Sequence, residues 1–396
     1  MDNRWVQTWG QSQSAFSFFY YPEDKWTFRL VIRSQISGKA MRIGLSNSWG
    51  KGKVKVEAVR VAPCDEEGTL TGASQVVTFG GNEKFTLKKG QRLVSNNIDI
   101  DIEVGQYFCI SMYVPKGDLT SGNLMNNCYL ITAKGNKVDQ EELPNERRTR
   151  DSVIALAAKL LGFDIPKPIP LFDSVELLNE EGAATITIFG DSVSQQGHWS
   201  NPFEERIREA YPGRLAVVNK SVMGCRILRD CSPLFPIHNL YGNRATERIV
   251  TDVFNFQNQE YVILFLGVND LFEFASINAF PWEKPDLKEL QESILRMAKD
   301  IQEHGSKVVA FNIPAFNSAP DSTPEKDQMR RDMNVWFEAN KDQFDGFFDC
   351  CSAALDPEDD SRCRPEYIGA DGLHPNAFGG KTICDMLDLD LFQPED

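Results

Sequence analysis

The four histidines of the sequence, at positions 198, 238, 304 and 374, differ in what precedes them. Only His374 has an acidic residue three positions ahead of it, in the segment Asp371-Gly372-Leu373-His374-Pro375. A carboxylate at that spacing can bind the imidazole Nδ1, fix the tautomer and stabilise the imidazolium form. The pair therefore predicts a general base, which would act by taking a proton from a nearby hydroxyl group.

A serine at the end of a strand-forming run is the candidate for that hydroxyl group. Ser192 follows the apolar run 184–189 and the dipeptide Gly190-Asp191, and a helix is expected soon after it. Ligands bind at the carboxyl ends of the strands in open α/β sheets. Taken alone, Gly-Asp-Ser is equally typical of a simple helix cap. Together with His374 and Asp371, it predicts a serine nucleophile with a base and a supporting acid.

Two further segments could supply hydrogen-bond donors for a developing oxyanion. Gly224 follows the strand-like run 215–219, and a glycine can present its backbone N–H without a side chain in the way. Asn269 follows the run 261–266, and its side-chain amide can donate a second hydrogen bond. With the Ser192 N–H, these groups would make three donors.

The elements that must position these residues lie in the second half of the chain, because the two halves differ in periodicity. The first half shows short alternating or β-branched runs with glycine-rich separators, which predict an all-β antiparallel sandwich over residues 1–135. From 181 to 396, strand-like runs alternate with helical patterns, which predicts an α/β domain with a parallel sheet. Residues 136–180 are interpreted as a linker that contains a strand and a helix near Ser152 to Leu161.

These blocks together resemble the SGNH, or GDSL, hydrolase superfamily, which contributes Ser, Gly, Asn and His in that chain order. Ser192, Gly224, Asn269 and His374 match in order, and Asp371 matches the acid before the histidine. The first half looks like the β-sandwich that precedes the hydrolase domain in some bacterial GDSL esterases. The resemblance implies a flavodoxin-like three-layer α/β domain after a jelly-roll-like sandwich.

The branch that this chain is similar to includes xylan-associated acylhydrolases and arylesterases, which implies acetyl or other short acyl esters as substrates. The chain departs from that branch where Cys225 follows Gly224, since asparagine is usual there, and where Val193-Ser194 replaces the usual Ile-Thr. Asp191, His198, Cys225 and Asp270 are further candidates for lining the substrate pocket.

The amino-acid composition limits the classes of molecule that the chain is expected to bind. The net charge of −15 argues against nucleic acid or an anionic membrane as partner and favours a small-molecule or oligosaccharide ester. No ligand spacing for a metal is evident, so neither metal nor cofactor is expected. The absence of a signal-like N-terminus and the unpaired spacing of nine cysteines favour the cytoplasm. The oligomeric state stays open.

Two other functions compete with the sugar esterase. A lysophospholipase or thioesterase would share the mechanism, and Phe272, Phe274, Phe280 and Trp282 could form its acyl trench, a platform for a sugar, or ordinary packing. A glycan-binding protein with a vestigial hydrolase domain is the second alternative, although every expected catalytic group is present.

Overall fold

The computed structural model describes residues 4–15, 24–117, 119–124, 128–146, 168–235, 238–276, 278–316 and 318–394. The chain divides into two compact units. The first comprises Met1–Ala183 and Tyr211–Ala216, and the second comprises Ala184–Ala210 and Val217–Asp396. The helix expected near Ser152 to Leu161 lies outside the described residues.

The N-terminal unit is built from short strands. They are β1 (Arg4–Gly10), β2 (Ser14–Ala15), β3 (Trp26–Arg33), β4 (Gly38–Ser46), β5 (Val54–Val56), β6 (Ala58–Pro63), β7 (Gln75–Val76), β8 (Phe85–Leu87), β9 (Arg92–Val94), β10 (Ile98–Ile102), β11 (Tyr107–Val114), β12 (Lys116–Gly117), β13 (Ser121–Asn123), β14 (Tyr129–Lys134), β15 (Ile169–Pro170) and β16 (Phe172–Asn179). Two antiparallel five-stranded sheets, β1-β16-β4-β10 with β9 beside β4, and β14-β3-β11-β6-β7, share one apolar core. The expectation of an all-β antiparallel unit is confirmed.

Strand β16 supplies the strand expected within residues 136–180 and places it in the first sheet. It lies between β1 and β4 in the first sheet and buries Val175 and Leu177 in the core. Its Glu176 is almost fully buried, where the Arg42 guanidinium binds it at 2.5 Å. Residues 172–179 therefore belong to the sandwich and not to a connecting segment.

The C-terminal unit alternates strands and helices, as the periodicity predicts. Its strands are β17 (Ala184–Gly190), β18 (Leu215–Asn219), β19 (Gln259–Phe265), β20 (Lys307–Phe311), β21 (Gly346–Phe348), β22 (Leu355–Asp356) and β23 (Asp359–Cys363). Its α-helices are α1 (Ser192–Gln195), α2 (Ser200–Ala210), α3 (Ala245–Ile249), α4 (Val268–Phe272), α5 (Leu287–Glu303), α6 (Pro324–Ala339), α7 (Cys350–Ala354) and α8 (Ala377–Met386).

The main sheet of this unit has the strand order β18-β17-β19-β20-β21. The pairs β17–β19, β19–β20 and β20–β21 are parallel. Numbered within the sheet, this is the order 2-1-3-4-5 of the doubly wound, flavodoxin-like class. The predicted α/β class is confirmed, and the carboxyl ends of β17, β18 and β19 meet along one edge.

Helix α3 is an element that the periodicity did not indicate. It is continued by one π-helical turn, Val250–Phe254. Ala245, Ile249 and Val253 are buried at spacings of four residues, and this pattern could have revealed the helix. Charged residues between them, and the shortness of the segment, hid the pattern.

All nine cysteines are free thiols, and only Cys128 is more than marginally exposed. Three of them, Cys64, Cys109 and Cys128, lie in the N-terminal unit, and the other six lie in the C-terminal unit. Among the described helices, none combines the length and the apolar character that a bilayer crossing requires.

Candidate active site

A serine, a histidine and an aspartate form a hydrogen-bonded chain in the C-terminal unit. Ser192 Oγ lies 2.7 Å from His374 Nε2, and His374 Nδ1 lies 2.7 Å from Asp371 Oδ2. Both distances are those of well-formed hydrogen bonds. The arrangement directs Nε2 at the hydroxyl group, so the imidazole can take the hydroxyl proton while the carboxylate supports the resulting cation.

The turn from Asp371 to His374 is itself held together by the aspartate. Its Oδ1 accepts hydrogen bonds from the backbone N–H groups of Leu373 at 2.9 Å and His374 at 3.0 Å. Burial alone would raise the pKa of Asp371, but the His374 hydrogen bond and charge and the two backbone donors lower it to about 2. The carboxylate therefore stays ionised at neutral pH.

Ser192 owes its position to the abrupt change from strand to helix at Asp191. Gly190 ends β17, and Asp191 caps α1 by accepting the Val193 N–H at 3.0 Å. The second oxygen of Asp191 accepts a hydrogen bond from Asn269 Nδ2 at 3.1 Å. Burial raises the pKa of Asp191 to about 7. A residue first proposed as lining the pocket thus connects the serine to the asparagine.

Gly224 lies in a loop that first runs along the end of β17. The N–H groups of Lys220 and Val222 donate to the carbonyls of Ile188 at 2.8 Å and Gly190 at 3.2 Å. Gly224 then adopts a left-handed φ of +66°, and a Cβ there would lie 2.2 Å from the Tyr241 ring. Only glycine suits this position.

The backbone N–H groups of Ser192 and Gly224 are available as donors. Across the described residues, neither group donates a hydrogen bond to a protein acceptor. Unpaired backbone N–H groups next to a nucleophile are the usual elements of an oxyanion site. Both groups therefore keep the donor capacity that the sequence predicts for them.

Asn269, on α4, is the residue that contacts the other blocks. Its Nδ2 donates to Asp191 Oδ2 and to the Cys225 carbonyl oxygen, each at 3.1 Å. Both amide hydrogens are thus taken up by the protein in this state. The third donor expected from the sequence would become available when the amide exchanges one of these partners for an oxyanion.

Arg248 is a buried residue that the sequence did not single out. Its Nη2 donates to the Gly190 carbonyl oxygen and its Nη1 to the Lys220 carbonyl oxygen, both at 2.6 Å. Its Nε lies 3.1 Å from Cys225 Sγ, and Asp252 Oδ2 balances its charge at 2.9 Å. One guanidinium group therefore ties the end of β17 to the loop that carries Gly224.

Two of the proposed pocket residues hold that same loop. Asp270 is buried, and its oxygens accept the N–H groups of Ile227 at 2.8 Å and Leu228 at 3.1 Å. Cys225 is buried against Arg248, and burial raises the pKa of its thiol to about 11. Protein groups thus bind the polar atoms of both residues in this state.

The remaining histidines have different surroundings. His198 is partly buried and packs against Gly380. Burial, and to a smaller extent the charge of His374, lowers the pKa of His198. His238 and His304 each bind a carbonyl of their own turn at 2.7 Å. In the part of the chain that the structure describes, no three His, Cys, Asp or Glu side chains are grouped as a metal site requires.

Comparison with known proteins gives the family of this unit. Residues 188–381 match the model of the GDSL-like lipase/acylhydrolase family, from within β17 to within α8. No curated protein matches the chain. Among solved structures, a GDSL-like lipase from Bacteroides thetaiotaomicron is 14% identical, with a TM-score of 0.38, and the match covers 52% of this chain and 87% of that one. An acetylxylan esterase from Geobacillus stearothermophilus is 14% identical, with a TM-score of 0.39, covering 52% and 93% of the two chains.

Proposed function

We propose that this chain, whose C-terminal domain belongs to the GDSL-like lipase/acylhydrolase family, is a serine esterase that removes short acyl groups, above all acetyl, from carbohydrates. The domain makes the chain an ester hydrolase. The observation that carries the proposed mechanism is the unbroken chain from Ser192 Oγ through His374 to Asp371, with 2.7 Å at each step.

In the first half of the proposed reaction, Ser192 Oγ attacks the ester carbonyl carbon while His374 Nε2 takes the hydroxyl proton. The carbonyl oxygen becomes an oxyanion, which the N–H groups of Ser192 and Gly224 stabilise. Collapse of the tetrahedral intermediate breaks the bond to the alcohol oxygen. The protonated His374 gives its proton to that oxygen, and the acyl group remains on Ser192.

In the second half, water attacks the acyl carbon and His374 Nε2 takes a proton from it. The bond to Ser192 Oγ then breaks, Oγ recovers the proton from His374, and the carboxylic acid leaves. Asp371 keeps its negative charge throughout, because its pKa of about 2 places it far from protonation at neutral pH.

The preference for sugar esters over lipids is supported by where the aromatic side chains lie. A long acyl chain needs an apolar trench. Phe272 and Phe274 are buried in packing, with Phe272 against the Phe316 ring, and so offer no trench wall. Trp282, in contrast, is exposed, and the net charge of −15 disfavours anionic phospholipids.

The test is hydrolysis of p-nitrophenyl acetate by three single variants. Ser192→Ala and His374→Ala should each lower kcat by at least about 10³-fold, and Asp371→Asn by less. His304→Ala is the matched control, because this histidine binds the Asp300 carbonyl oxygen and stacks on the Phe254 ring, and neither residue belongs to the proposed triad, so kcat should be unchanged. Full activity of Ser192→Ala would refute the mechanism.

A second comparison decides the substrate. Acetylated xylo- and manno-oligosaccharides, lysophospholipids and acyl-CoA would be hydrolysed by the wild type under identical conditions. We expect the highest kcat/KM for an acetylated oligosaccharide. A marked preference for long acyl chains would replace the proposal with a lysophospholipase or thioesterase, and sugar binding without any hydrolysis would favour a vestigial domain.

A further inference from the structure

A shallow cavity of about 400 Å³ lies in the C-terminal unit beside the loop that follows Gly224. Its lining includes an apolar residue of this loop, two aromatic residues and three charged residues. They are Leu228, then Phe280 and Trp282, then Arg229, Asp230 and Arg244. The Leu228 N–H binds Asp270, which directly follows Asn269. One lining residue of the cavity is therefore held by the residue that follows Asn269.

Trp282 gives this cavity an aromatic face. Its side chain is 75% exposed, although a large aromatic group gains free energy by being buried. One face of the indole stacks on Phe280, with ring centroids 4.3 Å apart and planes 9° apart. Phe280 in turn contacts Phe235 at 5.0 Å. The ring is thus supported from behind and presents its other side to solvent.

The turn that carries Trp282 is anchored to the catalytic unit. Glu283 forms an ion pair with Arg226 at 2.8 Å, and both side chains are almost fully buried. Arg226 also donates to the Asp230 carbonyl oxygen at 2.6 Å. Arg226 therefore holds two walls of the cavity together, and it lies two residues after Gly224. A ligand stacked on Trp282 would meet a prearranged surface rather than a mobile one.

The charges around the cavity balance. Arg229 and Arg244 contribute two positive charges, and Asp230 and Glu283 contribute two negative charges. Asp230 Oδ1 accepts the Arg244 backbone N–H at 2.7 Å, which fixes donors and acceptors side by side. A surface with one aromatic face and paired polar groups, open to solvent, suits a neutral ligand that is rich in hydroxyl groups and has flat apolar faces. A pyranose ring has these properties, and an acyl chain does not.

We propose that this cavity is a subsite for a neutral pyranose of the substrate's sugar chain, stacked on Trp282 at a distance from the bond that is cleaved. This inference rests on the proposed function and adds where the unreacted part of the oligosaccharide binds. It assigns Trp282 to substrate affinity, and it assigns no part in the chemical step to this residue.

The test measures binding and hydrolysis separately. Binding of xylotetraose and mannotetraose, neither of them acetylated, would be measured by calorimetry with the wild type, Trp282→Ala, Trp282→Phe and Val335→Ala. Val335 is 71% exposed on α6 and serves as the control for loss of an exposed apolar side chain. We expect Trp282→Ala to weaken binding about three- to tenfold and Trp282→Phe to restore most of the affinity.

Hydrolysis of the acetylated tetrasaccharide should show the same change in KM with little change in kcat. Hydrolysis of p-nitrophenyl acetate should be unaffected by Trp282→Ala, because this small ester has no sugar chain to stack on Trp282. Unchanged binding and KM in Trp282→Ala, equal losses in Val335→Ala, or no binding of either sugar to the wild type would overturn the inference. Absence of p-nitrophenyl acetate hydrolysis by the wild type would instead show that the proposed catalytic function has failed.

Discussion

Gly224 shows how little freedom a single residue has at this site. Its φ of +66° is unfavourable for any residue with a Cβ, and the Tyr241 ring leaves no space for a Cβ. Gly305 has a φ of +87° with no atom within 4 Å of the Cβ position, so it isolates the effect of backbone strain alone.

We therefore expect Gly224→Ala to destabilise the protein by more than the roughly 1–2 kcal/mol typical of such strain, and to lower kcat at least about tenfold. Gly305→Ala should show only the loss of stability. Urea unfolding and p-nitrophenyl acetate hydrolysis measure the two effects. Similar behaviour of the two variants would contradict a specific role for the Gly224 position.

Asp191 makes stability depend on pH. Its folded pKa of about 7 lies above the unfolded value of about 4, so the folded state binds the proton more tightly. This contribution to stability is complete below about pH 4 and is lost as the pH rises to about 7. Asn at this position removes the titrating group and keeps one of the two acceptor oxygens, so it loses either the Val193 or the Asn269 hydrogen bond at every pH.

We expect the free energy of unfolding of Asp191→Asn, relative to the wild type, to increase by a few kcal/mol between about pH 4 and about pH 8. Urea titrations of both proteins across this range would measure it. Asp270, whose pKa burial raises to about 6, is present in both proteins, so its own burial penalty is common to both curves. Parallel stability curves would show that Asp191 has no raised pKa.

At the scale of elements, Arg248 on α3 links two strand ends. Lysine at this position would keep the charge and lose the fork that binds the Gly190 and Lys220 carbonyl oxygens together. Loss of these hydrogen bonds should shift Ser192 more than the surface that binds the substrate. Arg248→Lys should therefore lower kcat about tenfold or more with KM nearly unchanged.

Arg330 provides a matched control for that experiment. It is as deeply buried as Arg248, and it also contacts a carboxylate, a thiol and a carbonyl oxygen, those of Asp327, Cys351 and Asp360. None of these contacts reaches the end of β17. Arg330→Lys should lower the melting temperature without lowering kcat, and an equal loss of kcat in both variants would reduce Arg248 to a general packing role.

The elements also show where prediction from sequence succeeds. Strand β18 begins and ends where the apolar run 215–219 predicts, because polar residues flank this run on both sides. The structure also brings Ser192, His374 and Asp371 together, and their spacing and strand-end positions suggest this. A catalytic mechanism accepts few residue types at each position, whereas packing accepts many, so catalytic residues are easier to predict from sequence.

What the sequence does not reveal depends on long-range contacts. Arg248 acts through carbonyl oxygens, and any residue supplies those, so nothing in the local sequence marks its partners. Tyr241 restricts Gly224 across 17 positions of chain, and Asp270 binds a loop more than 40 positions earlier. Such contacts join residues that are far apart in the sequence, so local patterns do not indicate them.

At the scale of the whole molecule, the net charge of −15 acts on every ligand that approaches. It opposes anionic lipids and leaves neutral sugar esters unaffected, so it agrees with the proposed substrate. The chain folds into two units of different architecture, one of antiparallel sheets and one doubly wound. The boundary predicted near residue 180 lies close to the division after Ala183.

The burial of the thiols has a practical consequence for following this molecule. A thiol reagent should label about one site in the native protein, at Cys128, because the other eight sulfur atoms are shielded. In denaturant all nine should react. Two of the shielded thiols lie in the N-terminal unit and six in the C-terminal unit, so mass spectrometry of partly labelled protein would identify which unit opens first. The order in which the buried cysteines become labelled thus reports the order in which the two units unfold. Cys128 provides a single attachment point for a probe.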